Sequence, residues 1–541
     1  MSTTAEIEVS FPPSSVAVIK PHPHSHGQRV RLSAIDQIAP RDYMSICLFF
    51  PLGPDADKRQ IFTALQESLL RIVDDMPELA CCVQKHTGNG REEVELVFDS
   101  SKGVEIHYKD YTSPELCDLW KFGTFDQLEQ EHFPLNKLPR HIVFGTSAKL
   151  TDNVKLPSLV VQTSFIPGGM ILGSCLHHVA GDGQCNFMLF SAIGAHFSAV
   201  ADELDSRPIS QIYLRDRSGV VEGDAAVKLE EFPHWKLAEE NTEFLNPTAY
   251  TTNDPTFEYA TYFISEEKLA LLRSRISNNC SGTKLSTVES LGAFIWRHTI
   301  VARNIDPRVY PEAKLSIAID ARGRTKNPYI PSNYWGNFAE PNAVARLPVS
   351  RLQEGASSSL TPNQLASNIY PEAARRIQRA IAAVDDKAVR RLVGLLNQMP
   401  KSTSLTWNAN RYPGPDMLLV CVNGHRYNDI YFGHKLGYTS AFRCTVGDTE
   451  GKPDGRCLIL PPRRGDGKGL EIMLQYDKST LKRLEDNVEF EFPPKAAGGE
   501  AVAREMTEAG EEMEEAEEEA TPKDAPYAID GSGLANSAGG M

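Results

Sequence analysis

FIPGGMILGSCLHHVAGDGQCNFMLF, residues 165–190, is the stretch in which chemistry is most concentrated in this chain. An apolar strand ends in His177-His178, a Gly-Asp-Gly turn follows at 181–183, and an apolar segment with helical character resumes at Phe187. Side chains alternate along a strand, so two adjacent histidines face opposite sides and only one can open into a given cavity. Asp182 lies four residues after His178, across a tight turn, close enough to fix the local geometry. A histidine suits general-base work because its reference pKa of about 6.5 leaves a usable neutral fraction near neutrality.

On spacing alone, a catalytic pair and a satisfied core histidine stand about equal. HxxxD could hold a metal, but a third ligand is missing and a turn, not a helix, joins the two. No GxSxG nucleophile elbow is present, which removes the usual serine hydrolases. RGDGKG (464–469) is glycine-rich but lacks the strand-then-helix setting of a phosphate loop.

The rest of the chain narrows the field. Its 541 residues carry 56 Lys+Arg against 71 Asp+Glu, a formal charge of −15. Residues 495–541 hold twelve acids and three bases, so that segment alone contributes −9. The preceding body is nearly balanced, and a general affinity for nucleic acid or anionic membrane is not expected. Ten cysteines without a CxxC pair argue against a disulfide framework, zinc or redox chemistry. The N-terminus lacks a basic-then-apolar leader and no window reaches 18 apolar residues, so the expected setting is the cytoplasm.

Apolar runs alternate with helical patterns along the body. SICLFFPL (45–52), LPSLVVQTSFI (156–166), MILGSCLHHV (170–179), KLSIAID (314–320), MLLVCVN (417–423) and GLEIMLQYD (469–477) read as strands. IFTALQESLLRIVDDM (61–76) and TVESLGAFIWRHTIVAR (287–303) carry apolar residues at helical spacing. The expected class is α/β (α+β), with helices covering mixed sheets. A polar, aperiodic stretch at 206–255 reads as a crossover linker between two domains, 29–205 and 256–494. Residues 1–28 read as an N-terminal tail and 495–541 as an acidic disordered tail.

HHVAGDG resembles the HHxxxDG signature of CoA-dependent acyltransferases, shared by the BAHD family, chloramphenicol acetyltransferases and peptide-synthetase condensation domains. The flanks point to the BAHD branch. RLSAIDQIAPRDYMSICLFFPL (31–52) resembles its first strand, LQESLLRIVDDMPELA (65–80) the helix and turn that follow, and TKLSTVESLGAFIWR (283–297) its "SSFExLxAxxWR" helix. IDARGRTKNPYIPSNYWGN (319–337) and GLEIMLQYDKSTLKRLEDN (469–487) resemble later landmarks in family order. The closest flavour is the fungal branch, trichothecene 3-O-acetyltransferase-like. One landmark departs: YFGHKLG (431–437) corresponds to DFGWG, with Tyr431 in place of the leading Asp.

The resemblance implies two chloramphenicol-acetyltransferase-like domains with an active-site tunnel between them. It implies His178 as the base that deprotonates an acceptor hydroxyl, less readily an amine, for direct attack on an acyl thioester. Asp182 would be structural and pair with an arginine, Arg322 or Arg324 of DARGR, with Arg322 taken as the partner. Gly183 would let the chain turn beneath the site. Lys284, Ser286, Thr287 and Gly433 would meet CoA, although plain N-capping is equally good for the serine and threonine. Tyr334, Trp335 and Asn337 would line the space between domains. The co-substrate would be acyl-CoA, most simply acetyl-CoA, with no metal, a small hydroxylated metabolite as acceptor and a monomer as the working unit. The alternatives are a carrier-protein-dependent condensation enzyme and a non-enzymatic binding or regulatory relic, the latter favoured by Tyr431.

Overall fold

The computed structural model describes residues 12–490 except 21–26, 89–90, 135–136, 147–149, 151–153, 203–212, 221, 238–250, 253–256, 278–283, 357–361, 400–404, 447–451, 454, 466 and 488–489. The acidic segment 495–541 lies outside the described residues.

Strands β1 (Ser14–Ile19), β2 (Tyr43–Pro51), β3 (Val104–Asp110), β4 (Leu159–Ile166) and β5 (Gly169–His177) belong to the first sheet. Every residue of β4 and β5 is buried, which explains why neither shows the polar–apolar alternation of a half-exposed strand. The sheet is mixed: β3 and β4 run parallel, while β5 pairs antiparallel with both β4 and β2. Helices α1 (Lys58–Asp75) and α2 (Gly183–Ala201) pack against one another. In α1 the residues Ile61, Leu65, Leu69 and Ile72 recur at three- and four-residue spacing and are all buried.

The second sheet takes β6 (Phe257–Ser265), β7 (Glu312–Asp320), β8 (Ala339–Pro348), β9 (Met417–Cys421), β11 (Arg456–Leu460) and β12 (Gly469–Asp477) in the order β6-β12-β11-β9-β7-β8. It is mixed as well, with β9 parallel to both β7 and β11. Helix α3 (Thr287–Ala302) is buried along most of its length, around the fully enclosed Trp296.

Three expected boundaries shift. Ser14–Ile19, assigned to the N-terminal tail, is the edge strand of the first sheet and pairs with Val104–Lys109. Strand β10 (Ala441–Val446), placed in the second domain by its position in sequence, completes the first sheet alongside β2. Both segments have the extended, apolar-containing pattern of a strand, and that pattern carries no information about which sheet it joins. The described part of the crossover is built into the body: Trp235–Leu237 pairs with Leu405–Trp407, and the Leu214 N–H donates to the Asn333 carbonyl.

Candidate active site

Strand β5 ends at His177, and the chain bends into a short 3-10 turn over His178–Ala180. The two histidines therefore separate into different surroundings. His177 is fully buried, with its ring edge-on to Tyr43, 5.1 Å between centroids. Burial, reinforced by Arg41 and His178, pushes its pKa down to about 3, so it is a neutral packing group. His178 is half-buried and lines a cavity of about 260 Å³ between the two sheets. Its backbone N–H donates to the Asp42 carbonyl at 3.0 Å, which ties the turn to the start of β2.

Asn337 meets the ring. Its Oδ1 lies 3.2 Å from His178 Nδ1, and its Nδ2 donates to the His178 carbonyl at 2.8 Å. An amide oxygen accepts only, so Nδ1 carries the proton and Nε2 keeps the free lone pair. The sequence reading put Asn337 only among residues between the domains; its neighbours Tyr334 and Trp335 are fully buried and do not line the cavity.

Asp182 fixes the turn from below. Arg322 Nη1 and Nη2 donate to its two carboxylate oxygens at 2.9 and 3.0 Å. The same carboxylate accepts from Phe338 N at 3.0 Å and caps helix α2 through Cys185 N at 3.2 Å. Burial alone would raise the Asp182 carboxyl, but the Arg322 charge and these hydrogen bonds hold it below the usual range. Arg324, the other arginine of DARGR, spends its guanidinium on the carbonyls of Ile381 and Val384. The helix begins at Gly183, four residues earlier than the apolar pattern suggested. Gly183 therefore has helical backbone rather than a sharp turn, and a Cβ there would stand 3.7 Å from His425 Cε1.

The cavity wall is mostly apolar. Tyr43, Met44 and Ile46 of β2 face Leu418 and Val420 of β9, with Trp235 and Trp407 at one side. Segment 420–428 serves two spaces. Val422, His425 and Tyr427 line the cavity, whereas Asn423, Arg426 and Asn428 line an open cleft of about 960 Å³. That cleft gathers Arg273, Arg426, Arg463, Arg464 and Lys468 against the two carboxylates Glu266 and Asp429.

Only one of the four residues expected to meet CoA reaches the cleft. Thr287 lines it, at the start of α3. Ser286 is the N-cap of that helix and exchanges hydrogen bonds with Glu289, at 2.7 and 3.2 Å. Lys284 is exposed and lines neither space. Gly433 also lines neither: its φ of +67° and the close approach of the Ser198 Cα, 3.0 Å from a Cβ placed there, make it a packing glycine. Tyr431 stands at the surface against Tyr438, 5.1 Å between ring centroids, and is not part of the cavity.

The cleft arginines were not legible in the sequence because they come from three separated segments, around 273, 426 and 463–464, each ordinary on its own. The one local signal was RGDGKG, set aside as a phosphate loop. Arg464, Gly465, Gly467 and Lys468, between β11 and β12, line the cleft together with Gly469, the first residue of β12. Among the described residues no group of three His, Cys, Asp or Glu side chains could hold a metal ion, and no helix is long and apolar enough to cross a membrane.

The sequence model of the transferase family matches residues 13–491. The acyltransferase cm3D of Cordyceps militaris is 27% identical over 475 residues, covering 85% of this chain and 94% of that protein. The eremophilane O-acetyltransferase ORF8 of Penicillium roqueforti is 25% identical and covers 86% and 98% respectively. The fold matches that of F. graminearum TRI101 complexed with coenzyme A and T-2 mycotoxin, with a TM-score of 0.69 at 17% identity, over 86% of this chain and 98% of that one. With a family match that spans nearly all of the body, the chain belongs to the transferase family, the CoA-dependent acyltransferases of BAHD type.

Proposed function

We propose that this acyltransferase moves an acyl group, acetyl in the simplest case, from CoA to a hydroxyl of a small and largely apolar metabolite. One observation carries the reading. His178 faces the intersheet cavity with Nε2 available as a base, and segment 420–428 runs from that cavity into the arginine-rich cleft. The cleft offers cationic groups to the phosphates of a CoA thioester, and the cavity offers apolar walls to the acceptor.

In this reading the acceptor hydroxyl gives its proton to His178 Nε2 as its oxygen attacks the thioester carbonyl. The C–O bond forms, a tetrahedral oxyanion follows, and the C–S bond breaks on its collapse. The CoA thiolate leaves and takes up the proton from the imidazolium. His178 thus ends each turnover neutral, and no acyl-enzyme forms. The Asp182–Arg322 pair takes no proton; it keeps the turn that presents His178 in place.

The acetyl donor is supported by the relative named as an O-acetyltransferase, and the hydroxylated acceptor by the T-2 mycotoxin bound in the TRI101 complex. The monomeric state and the cytoplasmic setting stay part of the proposal on sequence grounds alone. No observation favours a relic: Tyr431, its main support, lies outside the cavity.

The test is a panel of acyl-CoA donors and hydroxylated acceptors, with detection of released thiol, on the wild type and His178→Ala. Acceptor-dependent CoA release should drop by about 10²- to 10⁴-fold in the variant. Equal release from both proteins overturns the role of His178.

A further inference from the structure

Asn337 can orient His178 only if its own amide is held the right way round, and the group that holds it is Asp36. Asp36 is completely buried on the short helix Ala34–Ile38. Its Oδ1 accepts from Asn337 N at 2.7 Å and from Asn337 Nδ2 at 3.0 Å. Its Oδ2 accepts from Arg217 Nε at 3.1 Å and from Ser33 N and Oγ, both at 2.9 Å. Arg217 is itself 5% exposed.

The partners of Asn337 Nδ2, Asp36 Oδ1 and the carbonyls of His178 and Val179, are all pure acceptors. Turning the amide over would set an oxygen against a carboxylate and a carbonyl, so the negative charge of Asp36 locks Oδ1 toward the imidazole. The Nδ1–H tautomer of His178 follows. The carboxylate also polarises the amide, which favours the imidazolium that forms during proton transfer.

We infer that Asp36, anchored by Arg217 of the crossover segment, is a positioning residue that acts through Asn337 to set the tautomer and basicity of His178. The inference rests on the acyltransferase reading above. It gives the crossover a part in the chemistry: residues 213–217 bring Arg217 to the site, and Trp335 N donates to the Leu214 carbonyl at 2.7 Å, so the two strips meet beside Asn337.

The test compares Asp36→Asn, Asn337→Ala and the double variant with the wild type, reading kcat, KM for acetyl-CoA and the pH profile of kcat. Expected for Asp36→Asn is a fall in kcat of roughly 10- to 100-fold. KM for acetyl-CoA should stay within about twofold, and the acid limb of the profile should move to lower pH because a supporting negative charge has gone. The double variant should be no slower than Asn337→Ala alone, since the path runs through that amide. A folded Asp36→Asn with wild-type kcat and pH profile overturns the inference. Should Asp36→Asn fail to fold because Arg217 is left unpaired, Asn337→Ala decides: kcat within twofold of wild type overturns it, and a loss with an acid-limb shift supports it. Wild-type turnover that His178→Ala abolishes must be present first. Its absence overturns the acyltransferase reading itself, whereas its presence with silent variants overturns this inference alone.

Discussion

Arg322 grips Asp182 through two parallel hydrogen bonds, joining the turn that follows the first sheet's β5 to the segment that follows β7 of the second. The guanidinium side chain is 1% exposed, so removing Asp182 leaves a buried cation whose remaining carboxylate is the half-exposed Asp320 at 3.0 Å. Asp182→Ala should therefore lower stability by about 3–5 kcal/mol, the range for breaking a buried pair from one side. Asp182→Asn, which can still cap helix α2, should cost less. Thermal melts of the two variants check the order, and a milder effect for alanine than for asparagine would show that the pair is not the clamp described.

The cleft gives a second prediction. If its cations hold the phosphates of the donor, Arg273→Glu combined with Lys468→Glu should raise KM for acyl-CoA by about tenfold or more, with kcat much less affected. The wild-type KM should also rise with ionic strength, because exposed charge pairs are screened within about 10 Å at 0.1 M salt. Initial rates over a salt series measure both, and an unchanged KM would remove the cleft from the donor's path.

Gly433 separates packing from ligand contact. Gly433→Ala puts a Cβ 3.0 Å from the Ser198 Cα on a backbone with φ of +67°. The expected cost is about 1–2 kcal/mol from the left-handed conformation alone. KM for acyl-CoA should not change, since the residue lines neither space. A raised KM with an unaltered melting temperature would restore the ligand-contact role that the sequence suggested.

Glu340 sets a dependence of stability on pH. It is buried in β8, and burial raises its carboxyl to about 7 from an ordinary 4.5, offset only by the hydrogen bond from Asn342 N. The folded state then binds more protons than the unfolded one between those values, so this group's contribution is fully present below pH 4.5 and is lost as pH rises through 7. The loss amounts to roughly 3 kcal/mol. Glu340→Gln, which stays neutral, should melt higher than the wild type at pH 8 and about equally at pH 5. Melts at those two values suffice, and identical behaviour at both would contradict the burial argument.

The limits of reading the sequence follow from the same residues. HHVAGDG, the strands around it and the Arg322 partner were legible because each rests on local pattern or on residues that stand together in a motif. The basic cleft was not, because Arg273, Arg426 and Lys468 acquire a common purpose only when the helix Glu266–Ser277 and two loops converge. Asn337 was visible as part of a motif, but its contact with His178 spans 159 positions and depends on the fold. Lys284 and Gly433 line neither space, and they show a related limit: a residue type that suits a phosphate or a close backbone approach also suits a solvated surface or a tight packing contact.

Strand β10 has a bearing on how the protein is made. The open edge of β2 carries the apolar run SICLFFPL, and its Phe49 N–H is met by the Thr439 hydroxyl across 390 positions of sequence. During synthesis that edge therefore waits, uncapped, until almost the whole body has left the ribosome, an interval of roughly 20–80 s at ordinary elongation rates. An apolar strand edge left open for so long is a template for association with other nascent chains. Cutting the gene at the crossover would make the exposure permanent, so the amino-terminal half expressed alone should collect as insoluble protein and regain solubility only when the carboxy-terminal half is supplied alongside it.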